Sequence, residues 1–228
     1  MIVKVLHDAK EAKGLAVIID VFRAFTVEPY IINNNAKKLI IVGDKQFAYN
    51  LKQQNPSYIL IGERNGIKLP NFDYGNSPSN IENIDFSSKT VVHTTSCGTQ
   101  GIVRAINADE IITGSLVNLN AIVEYIKKSN YTDVSLVALA RESEDPFPED
   151  QICAEYIKAL LENEDISIFA NQITALRNTS GSKFFDKEKQ KDFPERDFYL
   201  CTELNKFNFV LKIEKDEANN LYAQKIIV

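Results

Sequence analysis

Nearly continuous apolar runs alternate along the chain with stretches whose apolar positions recur every three or four residues. Residues 15–19, 39–42, 59–61, 90–92, 111–113 and 134–140 are short and rich in Val, Ile and Leu, the mark of strands buried on both faces. Residues 47–54, 101–107, 119–129 and 149–162 carry helical spacing, with Ile122, Tyr125 and Ile126, then Ile152, Tyr156 and Leu160, on single faces. The alternation predicts an α/β fold, three layers of α/β/α on a mixed, largely parallel sheet. Residues 198–204, 209–213 and 222–228 are predicted as C-terminal antiparallel strands. Residues 180–194, with the run Asp186-Lys-Glu-Lys-Gln-Lys-Asp192, are predicted as a charged, mobile loop. Neither a repeat nor a Pro/Gly/Ser linker divides the chain, so a single domain over residues 1–228 is expected.

Composition narrows the partners. Against 26 Lys plus Arg stand 31 Asp plus Glu, a net charge of −5, with no dense basic block; nucleic acid and anionic lipid are disfavoured. The apolar run before Asp20 is far short of the ~20 residues that cross a bilayer, and the first residues lack the order of a secretory signal. Cys97, Cys153 and Cys201 are odd in number and widely spaced, which suits a reducing compartment. A cytoplasmic protein is expected, with its oligomeric state left open.

Ligands of open α/β sheets bind beyond the carboxyl ends of the strands, and the polar residues there are informative. Asp20 and Arg23 follow the first run, Glu63, Arg64 and Asn65 the third, and Thr94, Thr95 and Ser96 the fourth. Ser115 and Asn118 follow the fifth, Arg141 and Glu142 the sixth, and Glu149-Asp150 open a helix. Taken singly, such residues also serve as caps and turn formers. Together, carboxylates without a His or Cys cluster suit a hard, oxygen-seeking cation such as Mg2+. Asp20, Glu63, Glu149 and Asp150 are the candidate ligands. Thr94-Thr95-Ser96-Cys97-Gly98-Thr99 runs from a strand into a helix starting near Gly98, which predicts an anion cradle. Arg23 and Arg64 supply bidentate donors. The polar stretch around residues 71–78 is predicted to wall the pocket, although Asn76-Ser77-Pro78 equally spells a helix cap with Pro at the first helical position.

Six spaced motifs now resemble a known family. Asp20-Val-Phe-Arg23-Ala, Gly62-Glu-Arg-Asn-Gly66, Phe72-Asp-Tyr-Gly-Asn-Ser-Pro78, Thr94-Thr-Ser-Cys-Gly-Thr99, Gly114-Ser115 with Asn118, and Glu149-Asp150 with Cys153-Ala154 are similar, in the same order, to those of the 2-phosphosulfolactate phosphatases. The resemblance covers roughly residues 15–161. It implies a Mg2+-dependent phosphatase that hydrolyses 2-phosphosulfolactate, a small phosphorylated carboxylate, to sulfolactate and phosphate on a route to coenzyme M. It also implies catalytic roles for Asp20, Arg23, Glu63 and Arg64. Substrate binding is implied for Asn65, Asn76, Ser77, Thr94, Thr95, Gly98, Thr99 and Ser115; Ser96 and Cys97 are added as candidates because they lie in the same strand-to-helix turn. The family pattern has Asn where Cys97 stands, a small residue and Thr where Ala24-Phe25 follow Arg23, and a glycine-containing turn where Arg141-Glu142-Ser143 lie.

Two competitors follow from the residues. Cys97 at a helix N-terminus, with His93 and Arg104, superficially matches a cysteine-dependent phosphatase, although six residues rather than five separate Cys97 from Arg104. A phosphometabolite-binding protein without turnover is the other. Cys153 and Cys201 are expected in the core.

Overall fold

The computed structural model of the chain describes residues 1–140 and 145–228; Arg141, Glu142 and Ser143, singled out above, lie outside them. The first part builds β1 (Ile2–Leu6), β2 (Leu15–Ile19), α1 (Ala24–Asn33), β3 (Lys38–Ile41), α2 (Lys45–Gln54), β4 (Ile59–Arg64), β5 (Ile67–Lys68) and the single turn α3 (Pro78–Ile81). There follow β6 (Thr90–Thr94), α4 (Gly98–Arg104), β7 (Glu110–Gly114), α5 (Leu119–Lys128), β8 (Asp133–Ala138) and α6 (Pro148–Glu162). The last part holds α7 (Phe169–Ala175), α8 (Glu195–Thr202), β9 (Phe209–Lys215) and β10 (Leu221–Ile227). These strands form one mixed sheet in the order β1-β8-β2-β7-β9-β10-β3-β6-β4-β5.

Within the sheet, β1, β8, β2 and β7 are parallel neighbours, as are β3, β6 and β4. The hairpin β9–β10 joins the two blocks through antiparallel pairings. Three reversals separate the blocks, so a flat sheet would send their carboxyl ends to opposite edges. The packing brings them together all the same, since α4, which follows β6, lies against β2. Asp20 beyond β2 and Glu63 on β4 therefore line one cavity.

Helices cover both faces, and strand β2 makes the reason plain. Leu15, Val17 and Ile19 pack with α5 and α6, whereas Ala16 and Ile18 pack with α1 and α4. Each residue of β2 is thus buried, which is why its sequence does not alternate. Asp44 starts α2 by accepting the Gln46 N–H, an ordinary N-cap. The C-terminal hairpin is as predicted, with Phe209, Leu211 and Ile213 sealing the α1 side. Cys153 and Cys201 are fully buried.

Two expectations are corrected. Residues 198–204 do not form a strand, because α8 occupies them up to Thr202. Pro194 precedes that helix, and Glu195 and Asp197 stand in its first turn, where carboxylates complement the helix dipole; Asp197, Phe198 and Cys201 then bury one face. Residues 180–194 are not a loose loop. They fold into 3-10 turns at Ser182–Phe185 and Lys187–Lys189, tied by Gln190, whose Nε2 donates to the carbonyls of Phe184 and Asp186. Phe184 is fully buried, meeting Phe22 edge-on at 5.1 Å and Phe193 at 6.0 Å.

Phe184 is the anchor of this segment. Phe184→Ala is expected to cost about 3–5 kcal/mol in denaturant unfolding and to expose Lys183, Lys187, Lys189 and Lys191 to trypsin. Equal cleavage of variant and wild type at these lysines would contradict the anchoring role.

Candidate active site

The site starts at the turn between β2 and α1. Asp20 Oδ1 accepts the Ala24 N–H at 3.0 Å, and Asp150 Oδ1, from the first turn of α6, accepts the Val21 N–H at 2.7 Å. The Phe22–Arg23 peptide between these anchors is cis. Glu149 Oε2 is buried with no hydrogen-bond partner among the described residues. A Cβ on Gly98 would lie 2.6 Å from Ala24 Cβ and 2.8 Å from Asp20 Oδ2, so only glycine lets α4 approach so closely.

Asp20, Glu63, Glu149 and Asp150 line a cavity of about 160 Å³ together with Arg23, Asn65, Asn76, Ser96 and Cys97. Phe22, Phe147, Lys183 and Phe193 complete much of its wall. The expected meeting of distant strand ends therefore occurs, but the residues at those ends divide into two groups. Glu63 is spent on the scaffold: Oε1 accepts the Ser96 N–H at 2.6 Å, and Oε2 accepts the Gly66 N–H at 2.5 Å and the Ser96 hydroxyl at 3.1 Å. Arg64 is directed to the carbonyls of Glu63 and Gly43 and to Thr94 Oγ1. Thr95 and Thr99 exchange bonds, each hydroxyl accepting the other's N–H, so two hydroxyls of the predicted anion cradle are committed to the start of α4. Ser115 pairs with Thr26 Oγ1 at 2.8 Å and caps the turn ending at Asn118. Ser77 precedes Pro78, the first residue of α3, and donates to Asp197 Oδ1 at 2.9 Å.

Arg23 is only 3% exposed. Its Nη1 donates to Asp197 Oδ2 at 2.7 Å and to the Asp192 carbonyl at 2.8 Å, and its guanidinium lies 4.8 Å from the Phe193 ring centre. Asp197 also accepts the Ser79 N–H. One ion pair thus binds β2, α3 and α8 together beside the cavity. On another wall, Asn76 Oδ1 lies 3.2 Å from His93 Nε2, and His93 Nδ1 lies 2.9 Å from Glu28 Oε1. Both Glu28 and His93 have no exposed surface, and burial, opposed by His93, raises the carboxyl pKa of Glu28.

His93 is held by Glu28 and Asn76, away from Cys97. Cys97 lines both this cavity and a neighbouring cleft that it shares with Arg104. Sequence reasoning missed Glu28, Lys183, Phe193 and Asp197. Glu28 offered a signal, a lone carboxylate in an apolar helical run; Lys183 was masked by its charged surroundings.

Burial is the chief cause that lifts Asp20 to about 6, offset by the Ala24 N–H and reinforced by Glu63 and Glu149. Asp150 is pushed well above the carboxylate range by burial, then by Asp20 and Glu149. Among the described residues, no group of three His, Cys, Asp or Glu side chains is placed to hold a metal ion by itself. Mg2+ needs no such group, since it keeps several waters and takes one or two carboxylates plus phosphate oxygens. Mutually repelling oxygen donors, with Glu149 Oε2 unpartnered among the described residues, fit such a cation.

A sheet with helices on both faces and an acidic pocket beyond its strand ends places the chain in the α/β class, whose ligands bind at that edge of the sheet. The model of the family described as 2-phosphosulpholactate phosphatase matches residues 1–216. A "probable 2-phosphosulfolactate phosphatase" of Bacillus subtilis is 30% identical over 213 residues, covering 92% of this chain and 91% of its own. Proteins of the same printed name are 36% identical in Thermoplasma volcanium, over 70% of this chain and 74% of theirs, and 32% identical in Thermoplasma acidophilum, over 85% and 83%. The chain belongs to the 2-phosphosulfolactate phosphatase family.

The raised carboxyls make stability depend on pH. Folded Asp20 holds a proton that the unfolded chain has lost between the ordinary 3.8 and about 6, so stability falls as pH rises through that window. Metal-free protein is expected to melt several degrees lower at about pH 7.5 than at about pH 5. Asp20→Asn should shrink the difference; an unchanged profile in scanning calorimetry would contradict the shift.

Proposed function

We propose that this chain removes the phosphoryl group of 2-phosphosulfolactate in a divalent-cation-dependent hydrolysis. Water adds across the ester P–O bond, so the oxygen departs protonated as sulfolactate and the phosphoryl group departs as inorganic phosphate. The observation that carries the reading is the buried wall of Asp20, Glu149 and Asp150 in one small cavity. Asp20 and Asp150, joined by Glu149, would hold Mg2+. Bound there, the ion supplies positive charge against the phosphate and lowers the pKa of water.

The chain's own residues position the reactants. Asn76, steadied by His93 and Glu28, places an amide at the cavity wall, and such fixed dipoles are effective where water is excluded. Phe22, Phe147 and Phe193 supply apolar rim. Arg23, already neutralised by Asp197, fixes the wall instead of meeting the phosphoryl group as a free charge. Glu63 holds the turns at Gly66 and Ser96 in place.

Phosphate release from 2-phosphosulfolactate, assayed with Mg2+ and with chelator, tests the reading. Release is expected with Mg2+ and not with chelator, and Asp20→Asn should lower kcat on the order of 100-fold or more. Cys97→Ser should leave kcat within about threefold. Undiminished release in chelator, or by Asp20→Asn, would overturn the metal assignment; loss of activity in Cys97→Ser would favour a thiol nucleophile.

A further inference from the structure

We propose that Lys183 binds the anionic group of the substrate that is not transferred, making it a specificity-determining residue of this site. The inference rests on the phosphatase reading above. Its starting point is a charge inventory of the cavity wall. Two cationic side chains line the cavity among the described residues, Arg23 and Lys183. Arg23 is committed, with Asp197 Oδ2 at 2.7 Å and the Asp192 carbonyl at 2.8 Å. Lys183 makes no hydrogen bond or ion pair among the described residues, although its charge is felt by both Asp20 and Asp150. It is the cation left available to an incoming anion.

The position of Lys183 is also prepared. Its Nζ stands 5.7 Å from the ring centre of Phe22, 5.5 Å from that of Phe184 and 5.7 Å from that of Phe193. Ring faces attract an ammonium and displace its water without supplying a counter-charge. Phe184 is fully buried, so the backbone that carries Lys183 is held by the core rather than by the ligand. An ammonium ordered in advance loses less freedom on binding.

The substrate's chemistry supplies what such a group would meet. 2-Phosphosulfolactate carries a carboxylate and a sulfonate in addition to the phosphate. The carboxylate wall opposite can accept the phosphate only through a cation, whereas Lys183 can pair directly with a second anion. Hydrogen bonds to charged partners are the stronger kind, so this contact would separate diacids and sulfonates from phosphate monoesters that lack a second charge.

Lys183→Met, which keeps the length and the ring contacts, is compared with wild type and Lys183→Arg in the presence of Mg2+. Calorimetric titration with sulfolactate, lactate and inorganic phosphate measures binding, alongside kcat/KM for 2-phosphosulfolactate. Expected for Lys183→Met is a loss of about 10- to 100-fold in sulfolactate affinity and in kcat/KM, an unchanged phosphate affinity, and partial recovery in Lys183→Arg. A parallel loss for lactate assigns the carboxylate as the bound group, and retention of lactate binding assigns the sulfonate. Equal loss for phosphate and sulfolactate, or no loss, overturns the proposal, as does wild type that binds no sulfolactate. Sulfolactate binding that depends on Lys183 without any phosphate release would leave the subsite standing and remove the phosphatase reading.

Discussion

Crowding of buried carboxylates is the interaction on which the rest of the molecule depends. Asp20, Glu149 and Asp150 are each at most 7% exposed, and bringing like charges out of water together is costly unless something compensates. Partial compensation comes from the backbone, through the Ala24 and Val21 N–H groups. Those two bonds also decide the fold locally, because they staple the end of β2 to the first turns of α1 and α6. The same atoms that leave the cavity short of positive charge therefore set its shape.

A buried ion pair fixes another part of the wall. Arg23 and Asp197 are buried partners, and Asp197 further holds Ser77 and Ser79. Removing one partner of such a pair would strand a charge. The pair brings the C-terminal third, far away in sequence, over the β2 turn, and the Phe22, Phe184, Phe193 and Phe198 rings pack around it. Glu63 works similarly on the far side by joining the Gly66 and Ser96 turns. Several charged side chains at the strand ends are thus structural, and their presence frees the remaining carboxylates and Lys183 for a ligand.

Much of this was legible in the sequence wherever one physical cause dominates. Strands buried on both faces announce themselves as unbroken Val and Ile runs, and α2, α5 and α6 by spacing. Edge strand β1, with its alternating IVKVL, and α1, apolar nearly all round with Glu28 inside, gave weaker patterns. Phe198-Tyr199-Leu200-Cys201 favours strand by residue type, but the Pro194 start and the Asp197 ion pair make it helical. The charged run at 186–192 hid the Phe184 and Phe193 anchors beside it. The strand-end rule located the cavity, but whether Arg64, Thr95 or Ser115 points into it depends on hydrogen-bond partners brought by other elements, which spacing does not encode.

In the proposed function, a divalent cation balances the carboxylates buried at the strand-end cavity. The most direct measurement is Mn2+ binding to the full chain, followed by the loss of the free-ion paramagnetic resonance signal, in wild type and in Asp150→Asn. A saturable site of one Mn2+ per chain is expected, displaced by excess Mg2+ and weakened at least tenfold in the variant. No saturable binding, or equal binding by the variant, would contradict that role.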